Sequence, residues 1–284
     1  MSLLGDEFDT FFADAIEALQ PYLDEIVCVG GCANALYRFH EHAGDVTWDF
    51  LGTMDFDAAV PHPLPLKDRP PVAKLMDDIG FKELTCGNAD DAVIKYGPDD
   101  DNSAVDLEFL CDLSGLSKAD QSRAAVSVQE GLYAQPLRYL AMSLNNTWRI
   151  DLGKVPGFRK LKGVTVQVPN PAAYVVSKIL IRGEKRKPAS MVKDCFYIYE
   201  VSTVFRNAFD VIREEYDRLT PCVPKWKKRF ACDAQSLFES EHSEGPVSAV
   251  GVYRELGELK GETFDLTEEV VCRSVNRMLD ALLS

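Results

Sequence analysis

The chain has 284 residues, 46% of them hydrophobic and 27% charged, with a formal net charge of −14. That balance is ordinary for a globular protein able to bury a full core, with room for two domains. The acidic excess argues against non-specific nucleic-acid binding, and no apolar run reaches the roughly 18 residues of a membrane span.

The start, Met1-Ser2-Leu3-Leu4-Gly5-Asp6-Glu7, lacks the basic-then-apolar order of a signal peptide, so a cytoplasmic location without membrane attachment is expected. Eight Cys are present. In a reducing compartment they are expected to stay free, with Cys28, Cys111, Cys195 and Cys272 among apolar neighbours acting as small hydrophobes. No zinc spacing occurs, and His40, His42, His62 and His242 are scattered.

In chain order, Phe8, Phe11, Phe12, Ile16 and Leu19 have helical spacing, and Pro21 ends that helix. Ile26–Val29 reads as a short buried strand that breaks at Gly30-Gly31 and enters a helix from Ala33 to about His42. After a connection holding Trp48 and Phe50, Gly52–Asp57 reads as a second strand. Five Pro between Pro61 and Pro71 forbid regular structure, and a helix from Val72 to Ile79 follows, closed by Gly80. Phe81–Thr85 and Ala92–Tyr96 are predicted strands. The cluster Gly97–Asn102 is predicted to turn the chain back onto a strand over Ala104–Leu110.

Ala124–Leu152 suits further strands and a short helix, and Val164–Val168 another strand. Asn170 is then a predicted N-cap with Pro171 at the first helical position. Beyond it the helical period dominates, through Tyr174–Leu180, Val192–Phe205, Phe209–Leu219 and Glu268–Leu283. The fold class read from this order is α+β: a mixed sheet flanked by helices, residues 1–168, followed by a mainly helical C-terminal domain, residues 169–284.

Chemistry concentrates where the glycine pair meets the acidic strands. Alternation puts Asp55 and Asp57 on one strand face and Met54, Phe56 and Ala58 on the other. Neighbouring carboxylates repel unless they share a proton or bind a cation. A Gly pair opening a helix offers N–H groups to an anion. Together they suit a metal-bound phosphate. Asp106 and Glu108 also share a face, opposite Val105, Leu107 and Phe109. The Asp99–Asp101 run reads instead as a solvated turn.

A Gly-Gly turn, a helix and then a strand bearing Asp-x-Asp resembles the signature of the polymerase β-like nucleotidyltransferase superfamily. The resemblance implies two Mg²⁺ held by Asp55, Asp57 and Asp106, with Glu108 as the neighbour able to substitute for Asp106. It also implies a nucleoside triphosphate whose phosphates approach Gly30, Gly31 and Cys32. Cys32 stands where the family usually has Ser or Thr, and the gap from the Gly pair to Asp55 is longer than usual. The series Val168–Leu180, then a basic stretch, then Lys193-Asp194-Cys195-Phe196 resembles the region after the catalytic domain in bacterial abortive-infection toxin-type nucleotidyltransferases. By that resemblance Lys178 and Lys193 stabilise triphosphate charge and Asp194 faces the substrate, and an antitoxin is one partner the resemblance leaves open. Read from the residues alone, Lys178 is equally a surface Lys packing its stem on apolar neighbours, and Asp194 an acidic residue near a helix start.

Basic residues form three islands: Lys154, Arg159, Lys160 and Lys162; Arg182, Lys185, Arg186 and Lys187; and Lys225, Lys227, Lys228 and Arg229. Each alone suits solvated loops or helix ends. Facing the acidic cluster, they would suit a polyphosphate or an RNA end. Three readings follow. One is a nucleotidyltransferase that releases pyrophosphate and modifies a tRNA end, a small molecule or a protein. The second is a catalytically weak nucleotide-binding member acting as a regulatory or toxin–antitoxin component. The third is a non-enzymatic α/β scaffold.

Overall fold

A computed structural model describes residues 5–46, 55–86, 93–100, 105–182, 188–219, 225–260 and 265–284. Trp48, Phe50, Gly52, Thr53, Met54, Asp101, Asn102, Lys185, Arg186 and Lys187 lie outside the described residues. The chain divides into two compact units, one within Met1–Phe39 and Gly52–Pro169, the other within His40–Leu51 and Asn170–Ser284.

The first unit is built on a mixed sheet. Its strands are β1 (Val27–Cys28), β2 (Asp55–Ala59), β3 (Phe81–Cys86), β4 (Val93–Pro98), β5 (Asp106–Asp112), β6 (Val126–Gln129), β7 (Leu132–Leu137), β8 (Thr147–Asp151) and β9 (Thr165–Pro169). Their spatial order is β3-β4-β5-β2-β1-β9-β8, with β7 pairing both β5 and β6. The pairs β2–β5, β5–β7 and β1–β9 are parallel; β1–β2, β3–β4, β4–β5, β6–β7 and β8–β9 are antiparallel.

Alternation along β2 and β5 decides the two faces. Phe56, Ala58, Leu107 and Phe109 are fully buried on one side. There α1 (Asp6–Ala18) supplies Phe12, whose ring meets Phe56 edge-on at 4.9 Å and Phe158 at 5.3 Å. Such aromatic contacts add about 0.5–1.5 kcal/mol beyond area burial. The other face changes character along its length. Ala59 and Leu110, directly opposite in register, are buried with Val27, Val29 and Leu140. Leu140 belongs to α4 (Leu140–Asn145), so that helix covers the C-terminal ends of these strands. The N-terminal ends of the same face carry Asp55, Asp57, Asp106 and Glu108.

Two local expectations are corrected. The helix after β1, α2, begins at Gly30 and runs to Leu36, so the glycine pair forms its first turn instead of preceding it. A first turn lacks intrahelical acceptors for its N–H groups in any case, and Gly is tolerated there better than in mid-helix. Gly97 and Pro98 belong to β4, pairing with Lys82 and Phe81, so the turn starts only at Asp99. α3 (Val72–Asp78) ends where expected, with Gly80 at φ 81°.

The second unit is helical: α5 (Pro171–Ile181), α6 (Pro188–Val204), α7 (Phe209–Arg218), α8 (Trp226–Phe238), α9 (Glu244–Lys260) and α10 (Glu268–Leu283). Asn170 caps α5, its Oδ1 accepting from Ala173 N at 2.7 Å. α8 and α9 carry no sequence-based expectation. Among the described residues, no helix is long and apolar enough to cross a membrane.

Candidate active site

The acidic face is assembled by strand register. β2 and β5 run parallel with Asp55 opposite Asp106 and Asp57 opposite Glu108. Four carboxylates therefore stand two by two on adjacent strands, all partly buried. β1 adds the glycine turn beside them. Val29 N donates to Asp57 O at 2.9 Å, which sets the end of β1 against the middle of β2. Gly30 follows with φ 62°, a left-handed conformation that favours glycine. Its position touches the Asp57 carboxylate so closely that an added β-carbon would overlap Oδ2 and lie 3.0 Å from Cγ. Asp55, Asp57, Asp106 and Gly30 are thus brought together in one unit, and Gly31 is buried.

A fifth group escaped the sequence reading. Lys95 on β4 lies opposite Glu108 and donates to Asp106 Oδ1 at 2.9 Å and Oδ2 at 2.8 Å, with Asp55 Oδ1 3.7 Å away. The signal was present: Lys95 alternates with Ile94 and Tyr96 in a strand already expected from its apolar residues.

Electrostatics follow from crowding and burial. Burial, then the charges of Asp57, Asp106 and Asp55, push Glu108 up to about 8 against the pull of Lys95. Its Oε1 is buried with no hydrogen-bond partner among the described residues. Burial also raises Asp106 above its ordinary value, although the Lys95 hydrogen bond and charge oppose the rise. For Lys95, burial works against the charge, and the Asp106 hydrogen bond and carboxylate charges outweigh it, so its pKa is raised.

The thiol of Cys32, on α2, is buried in the core, 1% exposed, instead of being presented at the turn. Burial first, then the Cys28 thiol and the charges of Asp57 and Asp9, hold it well above the usual thiol range.

Lys178, Lys193 and Asp194 belong to the second unit. Lys178 Nζ donates to Asp194 Oδ1 at 2.6 Å, and its ammonium lies 5.4 Å and 5.1 Å from the Tyr174 and Tyr197 ring centres. Asp194 is buried in the second turn of α6, so it is a core ion-pair partner and not an acidic residue at the helix start. Lys193 is exposed. Of the basic islands, Lys154, Lys160 and Lys162 are exposed, whereas Arg182 is largely buried and paired with Glu244.

The donor chemistry of the acidic face is all oxygen, the set that hard divalent cations prefer. Among the described residues, no three carboxylate, imidazole or thiol groups are gathered tightly enough to hold an ion as they stand. Lys95 supplies the positive charge beside Asp106 and Asp55, and the unpartnered Oε1 of Glu108 leaves one acceptor unused. In the kind of donor they offer, the residues match a divalent ion.

Comparison with known protein families matches residues 10–218 to a nucleotidyltransferase family. The match covers well over half of the chain, which therefore belongs to this family and is a nucleotidyltransferase enzyme. No curated protein matches it.

Proposed function

We propose that this nucleotidyltransferase is metal-dependent and moves a nucleotidyl group from a nucleoside triphosphate to an acceptor hydroxyl. The acceptor oxygen forms a bond to the α-phosphorus, the α–β phosphoanhydride bond breaks, and pyrophosphate leaves. The observation that supports this reading is the β2–β5 register, which sets Asp55 beside Asp106 and Asp57 beside Glu108.

Asp55, Asp57 and Asp106 are the residues that would hold Mg²⁺, with Glu108 adjoining. Bound there, the ions would neutralise phosphate charge and align the attacking and leaving oxygens. Gly30 carries no side chain to block approach of the phosphates, and Gly31 extends the same turn. Asp106, set beside Asp55 at the end of the acidic face, is also assigned the acceptor proton. Lys178 and Lys193 keep only the role implied by resemblance, and the Lys178 charge is already engaged by Asp194. A charge of −14 favours a small or short acceptor, a protein, or an RNA end over long nucleic acid.

The test is calorimetric titration of the four ribonucleoside triphosphates with and without Mg²⁺, repeated with Asp57→Asn. At least one nucleotide should bind only with the metal, and the variant should lose that binding. Nucleotide binding indifferent to both EDTA and the substitution overturns the reading. Binding without turnover on any acceptor would indicate the catalytically weak, partner-regulated form.

A further inference from the structure

β4 carries a single cation into the acidic face. Lys95 sits opposite Glu108 in the β4–β5 register, so its side chain rises on the same side as Asp106 and Glu108. It reaches both oxygens of Asp106 and approaches Asp55. Its side chain is 21% exposed and that of Asp106 19%, so water and salt screen this pair less than a surface pair.

The ammonium and a divalent ion want the same atoms. An ammonium offers only donors, and both Asp106 oxygens accept from it. The ammonium takes one lone-pair site on each Asp106 oxygen and sets a positive charge beside both, which opposes a metal ion there. Asp55 lies between the two claims, near the ammonium and directly across from Asp106.

We propose that Lys95 is a built-in counter-cation of the acidic face. It is a positioning residue that holds Asp106 and Asp55 together without metal and competes with the divalent ion for them. The inference rests on the nucleotidyl-transfer reading above. It has a thermodynamic corollary. A triphosphate gives the displaced ammonium another anionic partner, so nucleotide and metal should each tighten the binding of the other by the same factor. Lys95 makes metal binding conditional on substrate.

The experiment measures Mn²⁺ affinity by electron paramagnetic resonance, with and without a non-hydrolysable triphosphate analogue. It compares the parent with Lys95→Met, Lys95→Gln and Lys95→Arg, and uses Asp55→Asn as the site control. The parent should bind Mn²⁺ weakly alone and more tightly with the analogue. Lys95→Met, or Lys95→Gln where the Met variant folds poorly, should bind Mn²⁺ alone about tenfold tighter, a small part of the Coulomb repulsion between neighbouring cations. The analogue should then add less. Lys95→Arg keeps the charge and should resemble the parent. A general loss of structure would lower metal affinity, so this gain separates competition from a merely structural role. Parent binding that is lost in Asp55→Asn, yet not tightened by either neutral variant, overturns the inference and leaves the metal-dependent reading standing. Absence of Mn²⁺ binding in the parent and all variants overturns both.

Discussion

Gly30 and Asp57 are in direct contact: a β-carbon at position 30 would overlap the Oδ2 of that carboxylate. Gly30→Ala should therefore combine the roughly 1 kcal/mol cost of a left-handed Ala with displacement of Asp57. Gly80→Ala is the comparator, since Gly80 also has positive φ but no atom within 4 Å of an added β-carbon. Both variants should melt a few degrees lower, whereas only Gly30→Ala should lose metal-dependent nucleotide affinity, by tenfold or more. Equal nucleotide binding in the two variants would show that the contact is incidental to the site.

Two Asp on the same face should answer neutralisation differently in the absence of metal. Asp106 holds the Lys95 ammonium, so Asp106→Asn leaves a partly buried cation with a poorer partner. Burial of the Asp106 charge offsets part of that cost, so a loss of no more than about 1 kcal/mol in urea unfolding with EDTA is expected. Asp57 adds charge beside Glu108 and raises its pKa, so Asp57→Asn relieves repulsion and should leave stability unchanged or higher. Both variants should lose Mg²⁺-dependent triphosphate binding. Equal destabilisation by the two would show that Lys95 does not discriminate between them.

The acidic strands were legible because their chemistry is local. Asp-x-Asp with Phe56 between, and Asp106 and Glu108 around Leu107, follow the period of two that any half-buried strand shows. Register is not local. That Asp55 falls opposite Asp106 across some fifty residues is set by packing of Phe56, Leu107 and Phe109, which alternation alone does not fix. Lys95 is silent in sequence for the same reason, because a Lys in a strand gains meaning only from its cross-strand neighbour. In the second unit, α9 carries Gly245, Pro246 and Gly251, which blur the helical period. Its Pro is accommodated because it lies in the first turn. The Lys178–Asp194 pair reads in sequence as two motifs and not as one contact, since it joins two helices across a basic stretch.

Glu108 should make metal-free stability depend on pH. Its folded pKa of about 8 lies above the ordinary carboxylate value, so the folded state holds this proton more tightly than the unfolded chain. The corresponding stability is fully present below the unfolded pKa and is lost as pH rises through about 8. Glu108→Gln removes the group that must ionise. In EDTA the variant should be more stable than the parent near pH 8, by about 2–4 kcal/mol, and the advantage should shrink towards pH 5. Urea unfolding at the two pH values checks this. A constant difference between them would mean that Glu108 ionises normally.

Lys178 and Asp194 distinguish a structural cation from a triphosphate ligand. Asp194 is 2% exposed and Lys178 16%, with 2.6 Å between Nζ and Oδ1. Removing the cation by Lys178→Met leaves a buried carboxylate without its charge partner, at a cost of about 3–5 kcal/mol. Asp194→Asn should cost less, because the longer Lys side chain is nearer solvent and its ammonium can turn outward. The double variant Lys178→Met/Asp194→Leu removes both charges, so its loss should fall well short of the sum of the single losses. Urea unfolding of the four proteins measures this coupling. Nucleotide titration of the same set decides the role. If Lys178 serves the fold, the double variant should bind Mg²⁺ and triphosphate as the parent does. A double variant of near-parent stability that binds triphosphate tenfold more weakly would instead make Lys178 a ligand for the phosphates, with Asp194 holding it in place.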